Sequence, residues 1–180
     1  MKVISILLSL CLVLALLPSS SWSAEINEEG EPQQLSREET VAIMDMATKF
    51  TEMVPGFPVE DAMGLAQLVH ETKNDAEAQE LVKNLEKEDF AQDDELQQSL
   101  KNAGPKDLVG GMIQIYQELK AIDILFQDPK RAVEEVSNEG MIQDDEKLAM
   151  YRQNPAQLEA DMRSGLYFSF VYIASVGGYL

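Results

Sequence analysis

Oxygen-bearing side chains at alternating positions make the segment 135–146 the clearest candidate for metal chemistry in this chain. Glu135, Ser137 and Glu139 are separated by single residues, a glycine follows, and Glu146 ends the segment. Carboxylate and hydroxyl oxygens are the ligands that calcium prefers, and glycine permits the sharp turn that gathers them around one ion. The spacing raises the hypothesis of a calcium-binding loop.

This spacing resembles an EF-hand loop, but its departures favour a simpler interpretation. Such loops open with aspartate, whereas Glu135 stands at the first position. Glu134 is charged where the entering helix should be apolar, and the sequence offers no second loop to pair with this one. We expect that Gly140 ends a helix, that Met141 and Ile142 fold back onto it, and that no calcium binds.

Other catalytic and metal-binding patterns are weaker still. His70 is the single histidine, and zinc sites need several histidine or cysteine ligands. Asn74 stands where a zinc-peptidase motif needs its second histidine, and Gln67 stands where a carboxylate-bridged metal site needs glutamate. We therefore interpret His70 as a polar residue near a helix end. No catalytic, cofactor-binding or metal-binding residue is predicted.

Carboxylates alone could still support hydrolysis, so an enzyme remains an alternative. Glycoside hydrolysis requires only two carboxyl groups. No spacing in this sequence selects such a pair, and the sequence has no nucleophile elbow or phosphate-binding glycine loop. A carboxylate-only hydrolase is accordingly the last of the functions considered, and the expectation is that the protein is not an enzyme.

The N-terminus predicts export. Lys2 gives a basic start, an apolar run extends to Leu17, and small residues stand at Ser21 and Ser23. This arrangement is typical of a secretory signal peptide over residues 1–23, with cleavage before Ala24. Cleavage would remove the single cysteine and the single tryptophan. We expect a protein of the secretory lumen or the extracellular space that folds without disulfides.

The charge of the chain limits its partners. The 180 residues contain 32 acidic and 14 basic side chains, a formal net charge of −18 at pH 7. A surface this negative repels nucleic acid and anionic membranes, and it attracts basic proteins or cations. The acidic stretch from Glu86 to Glu95 is interpreted as a solvated face, with a docking site for a basic partner as the functional alternative.

Helical periodicity follows the polar residues 24–35, which we expect to be a disordered acidic tail. Ser36 and Glu39 form a capping box. The residues Val41, Met44, Ala47, Phe50 and Met53 then form a stripe that is expected to face the core. Residues 36–180 are predicted to form a single all-α domain, a compact bundle of seven to eight helices around a central amphipathic helix and an apolar C-terminal helix. Those two helices are expected at Lys106–Gln127 and Pro155–Tyr179; the others are expected to begin near Ser36, Pro58, Asp75, Asp93, Pro129 and Asp144.

The uncharged segment 165–180 allows three interpretations. It fits a buried core helix, it is short for a membrane span of about 20 residues, and it lacks the polar spacer of a glycolipid-anchor signal. We favour burial. The sequence therefore predicts a secreted, non-enzymatic binding or structural module for a basic partner or cations, with a lumenal protein tethered through this segment as the alternative.

Overall fold

The computed structural model describes residues 35–87 and 102–180, and the regular structure in them is entirely α-helical. The predicted signal peptide, the predicted tail as far as residue 34 and the expected helix near Asp93 lie outside the described residues. The all-α prediction is confirmed. The described residues contain seven helices: α1 Arg37–Met53, α2 Val59–Asn74, α3 Ala76–Lys87, α4 Pro105–Leu125, α5 Pro129–Asn138, α6 Asp145–Gln153 and α7 Pro155–Val176.

The first helix begins as its sequence predicts. The Glu39 amide donates to the Ser36 hydroxyl at 3.2 Å, and the Ser36 amide donates to the Glu39 carboxylate at 2.8 Å. These two bonds satisfy amides that have no partner inside the helix. The second helix begins one residue after Pro58. Pro58 is its N-cap residue, and Val59 takes the first helical position.

Gly104 opens α4 and does not adopt the left-handed conformation that is common for glycines next to helix ends. The left-handed glycines of the described residues are elsewhere in the chain. The Gly104 amide donates to the Asp107 carboxylate at 3.2 Å, and its carbonyl accepts from Leu108 at 3.1 Å. Pro105 follows as the first helical residue, which its fixed φ and missing N–H suit. The Gly-Pro pair is therefore a helix start in which Asp107 supplies the cap.

The described residues divide into two compact units, and each is considered separately. The first unit contains α1 to α3, residues 105–114 of α4 and residues 170–180. Ile43, Ala47 and Phe50 form the buried face of α1. The expected inner stripe on α1 is partly wrong, because Val41 and Met44 are 50% and 53% exposed. Apolar residues surround most of this helix, so periodicity alone does not select the buried face.

The second unit comprises residues 115–169, which include α5 and α6 with parts of α4 and α7. Asp128 caps α5 by accepting from the Arg131 amide, and Pro129 is its first residue, as the sequence predicts. The prediction of one domain over residues 36–180 stays a prediction. The buried side chains of this unit are mainly aliphatic: Ile115, Ile122, Phe126, Ala132, Val133, Val136, Tyr151, Leu158 and Leu166.

Four C-terminal residues of the first unit, Phe170, Val171, Ile173 and Ala174, are buried, as expected for a core segment, whereas Val176 is 37% exposed. Phe170 and Ile173 are at most 2% exposed, and Ile173 lies in close contact with Gly111 of α4. Gly178, with φ of 71°, reverses the chain after α7, so that Tyr179 packs its ring on Phe50 with centroids 5.7 Å apart. Among the described residues, no helix has both the length and the apolar character needed to span a bilayer.

Candidate binding surface

The turn between α5 and α6 contains the residues that suggested a calcium loop. Gly140 has φ of 74°, and the Met141 amide donates to the Val136 carbonyl at 3.3 Å, which is the expected helix ending. Glu135 lies in α5 and accepts from the Arg131 guanidinium at 2.7 Å, and Ser137 lies in the same helix. Because half of the candidate loop is helical, its oxygens do not surround one position.

Four carboxylates in this turn face solvent, and we call them the acidic turn: Glu139, Asp144, Asp145 and Glu146. Asp144 caps α6 by accepting from the Glu146 amide at 2.8 Å and the Lys147 amide at 3.1 Å. Asp145 and Glu146 occupy the first turn of α6, where the helix dipole favours negative charge. Within the described part of the chain, none of the four lies in an ion pair.

Nearby arginines are paired with other carboxylates. Arg152 of α6 donates to both carboxylate oxygens of Glu134 in α5, at 2.8 and 2.9 Å. This bidentate pair joins the two helices. The hydrogen bond from Arg152 holds the pKa of the Glu134 carboxyl below its ordinary value. Arg131 is paired with Glu135 on α5. Both arginines therefore form their direct ion pairs with carboxylates of α5, and Asp145 of the acidic turn attracts Arg152 only through space.

A shallow notch of about 280 Å³ lies beside the Arg152–Glu134 pair. Lys130, Val133 and Pro155 complete its lining. Its volume is at the lower limit for pockets that enclose small molecules. Two of its three charged groups, Glu134 and Arg152, already bind each other, so we do not assign it as a ligand site.

Two further groups of polar contacts lie in the second unit, one around Asp161 and one around Arg163. The Tyr151 hydroxyl donates to Asp161 at 2.8 Å, and the Gln157 amide donates to the other oxygen of the same carboxylate at 2.8 Å. Burial, followed by the bond to Asp161, raises the pKa of Tyr151 to about 12. Arg163 of α7 contacts both Asp123 of α4 and Glu159. The bond between Tyr151 and Asp161 connects α6 to α7, and the ion pair between Arg163 and Asp123 connects α7 to α4.

His70 lies at the C-terminal end of α2, as the sequence predicts. Its Nε2 atom is 3.5 Å from a Glu39 carboxylate oxygen and 3.2 Å from the Asn74 side-chain nitrogen. The Asn74 amide also donates to the His70 carbonyl at 3.0 Å. Hydrogen bonds from Ser36 are the main reason that the pKa of Glu39 is lowered. Among the described residues, His70 and Glu39 do not belong to any group of three metal-ligand side chains, and both lie beside groups that cap helices.

Sequence reasoning missed the contacts that cross between helices. Spacing rules could have found Arg131–Glu135 and Glu159–Arg163, because residues four apart share a helix face. No such signal exists for Arg152 and Glu134, which are 18 residues apart. The acidic stretch from Glu86 to Glu95 cannot be placed, since its side chains lie outside those described. No cluster of three or more metal-ligand side chains occurs among the described residues.

Comparison of the chain with models of known protein families, with curated proteins and with solved structures finds no match.

Proposed function

We propose that the chain is a secreted, non-enzymatic binding module whose acidic turn binds a basic protein. The signal-peptide pattern of residues 1–23 supports export, and the net charge of −18 supports attraction of a positively charged partner. A basic protein is favoured over a bound cation, because half of the segment 135–146 is helical and its oxygens are dispersed.

One observation carries the proposal. Glu139, Asp145 and Glu146 are exposed and lie in no described ion pair, whereas Arg152 is fixed on Glu134 by two hydrogen bonds. Four exposed carboxylates between residues 139 and 146 concentrate negative charge on one short stretch of the surface, and such charge raises the association rate of cationic partners. A binding surface of this kind needs no pocket.

The pKa values of the carboxyl groups favour binding over acid catalysis. Where a clear shift occurs among the described carboxyl groups, at Glu39 and Glu134, the pKa is lowered. A general acid at neutral pH needs the opposite shift, a raised pKa that keeps the carboxyl protonated. The lowered pKa values keep these two groups ionised at neutral pH.

The test compares two triple variants that remove the same charge. Glu139→Gln, Asp145→Asn and Glu146→Gln neutralise the acidic turn but leave the helix cap Asp144 in place. The control combines Glu60→Gln, Glu77→Gln and Glu80→Gln, which are likewise exposed on helices. Protein expressed from the full coding sequence is titrated with a lysine-rich peptide at several salt concentrations.

We expect the acidic-turn variant to bind the peptide about tenfold more weakly than the control, and binding of the unmodified protein to weaken as salt is added. Equal losses in the two triple variants would show that only total charge matters and would overturn the acidic turn as the site. A melting temperature raised by calcium, but not by magnesium, would identify a metal site in place of a basic protein.

A further inference from the structure

The face of α1 opposite its buried side carries an apolar stripe. The spacing of Arg37, Val41, Met44, Thr48 and Glu52 places these five residues on one side of the helix, and we call them the α1 outer face. Val41 and Met44 are about half exposed, and the other three are also exposed. From Arg37 to Thr48 the steps are four, three and four residues, the pattern of a helix seam that packs on another helix, and Glu52 follows one turn later.

The polar atoms in the middle of this face are already satisfied. The Thr48 hydroxyl donates to the Met44 carbonyl at 2.9 Å, and the Thr51 hydroxyl donates to the Thr48 carbonyl at 2.8 Å. With their hydroxyls bonded to the helix backbone, the threonines can present their methyl groups without a further hydrogen-bonding requirement. The stripe is therefore apolar between its two charged ends.

We propose that the α1 outer face binds the same face of a second copy of this chain, in antiparallel orientation. Arg37 and Glu52 stand at opposite ends of the stripe, and within the described residues neither lies in an ion pair. A two-fold axis near Met44 places Arg37 of each copy opposite Glu52 of the other, so the charges match twice. Val41 then faces Thr48.

The same geometry includes one unfavourable contact. Asp45 lies beside the axis, and its carboxylate would approach the Asp45 carboxylate of the second copy on the same side of the helix pair. Long-range repulsion between two chains of net charge −18 acts in the same direction. One helix pair also buries less area than a standard interface. The dimer is therefore weak, and its affinity should respond to Asp45.

Sedimentation of the full chain at concentrations up to about 1 mM measures the dimer, at an ionic strength of about 0.15 M to screen long-range repulsion. Met44→Glu places two like charges at the axis and should weaken the dimer at least tenfold. The control is Ile124→Glu, which changes an equally apolar and more exposed helical residue (68%) and should leave dimerisation unchanged.

Charge variants test the orientation. Arg37→Glu and Glu52→Arg should each weaken the dimer several-fold, and their combination should restore it, because the pair is re-formed with exchanged signs. Asp45→Asn should strengthen the dimer, whereas Glu80→Gln, which removes the same charge from α3, should have a smaller effect. Circular dichroism confirms that each variant is folded.

A chain that stays monomeric at about 1 mM overturns the proposal. It is also overturned if Ile124→Glu weakens the dimer as much as Met44→Glu, or if the double charge exchange fails to restore association. Loss of lysine-rich peptide binding in Met44→Glu, with no dimer at any concentration, would assign this face to the basic partner instead.

Discussion

Two short elements are each attached to another helix, but by different chemistry. One is the chain end that contains Tyr179, in the first unit, and the other is helix α6, in the second unit. Tyr179 packs its ring on Phe50, and its hydroxyl lies 3.8 Å from the Met53 sulfur. In the second unit, Tyr151 hydrogen-bonds Asp161 and Arg152 pairs with Glu134. Apolar burial attaches the first element, whereas oriented polar pairs attach the second.

This difference sets how much each attachment stabilises the fold. Burial of an aromatic side chain stabilises the folded state because its apolar surface leaves water, and water offers that surface no comparable interaction in the unfolded chain. A polar pair exchanges bonds to water for bonds to protein, so its net contribution is small. Substitutions in the first unit should therefore cost more than those at α6.

The largest effect is expected for Phe50→Ala. Phe50 is completely buried, so the substitution removes apolar contacts and leaves a cavity, which should lower the free energy of unfolding by about 3–5 kcal/mol. Urea denaturation followed by circular dichroism measures the change. Val59→Ala, at a side chain 68% exposed, is the control and should stay within about 0.5 kcal/mol. A loss below about 1 kcal/mol for Phe50→Ala would contradict an apolar attachment.

Two glycine substitutions of opposite expected sign test how the chain reaches Tyr179. Gly178 has φ of 71°, so Gly178→Ala should cost about 1–2 kcal/mol through left-handed strain. Gly165 lies inside α7, and an added Cβ there would meet no atom within 4 Å. Gly165→Ala should therefore stabilise the protein by about 0.5–1 kcal/mol. Thermal unfolding of both variants measures the difference, and equal effects would rule out a special role for the turn.

Apolar periodicity and capping chemistry were sufficient to predict most helices. Ser36, Asp128 and Asp144 cap helices in the structure, because short polar side chains satisfy free amides in any protein context. Periodicity was only partly right on α1, where Ala47 and Phe50 are buried as expected but Ile43 is buried in place of Met44. Two apolar stripes fit that helix, and only the surrounding helices determine which is covered.

The polar contacts between helices could not be predicted, since they depend on where two helices meet. Tyr151 and Asp161 are separated by a helix boundary at Asn154, and no spacing rule applies across it. The negative charge of the candidate surface is visible in the sequence. Which carboxylates remain outside ion pairs could not be read from it, because Glu134 and Glu139 look alike until Arg152 is placed.

Tyr151→Phe tests the polar attachment of α6. It removes one hydrogen bond to a carboxylate that keeps its bond from Gln157, so the expected cost is about 1–2 kcal/mol. The pH dependence gives a sharper test. Folding raises the pKa of Tyr151 to about 12, whereas an unfolded tyrosine has a pKa of about 10. The unfolded chain therefore releases this proton first as the pH rises.

The contribution of Tyr151 is complete below about pH 10 and is lost as the pH rises from about 10 to about 12. We expect the difference in unfolding free energy between the unmodified protein and Tyr151→Phe to shrink over this range. Urea denaturation at successive pH values measures it, and Tyr116→Phe serves as the control on α4. A difference that stays constant up to pH 12 would show that the hydroxyl is not protected by folding.

The smallest effect is expected for Arg152→Gln, because both partners of the Arg152–Glu134 pair are about half exposed and water screens their attraction. Arg152 lowers the pKa of Glu134, so the pair stabilises the fold above the ordinary glutamate pKa of 4.5 and loses its effect as the pH falls through the lower folded value. The difference between the two proteins in melting temperature should therefore be small at pH 7 and vanish in acid. Arg131→Gln, which breaks a pair within α5, is the matched control. If the Arg152→Gln deficit persists in acid, the guanidinium acts by packing in the notch beside Pro155, and charge pairing is not what attaches α6.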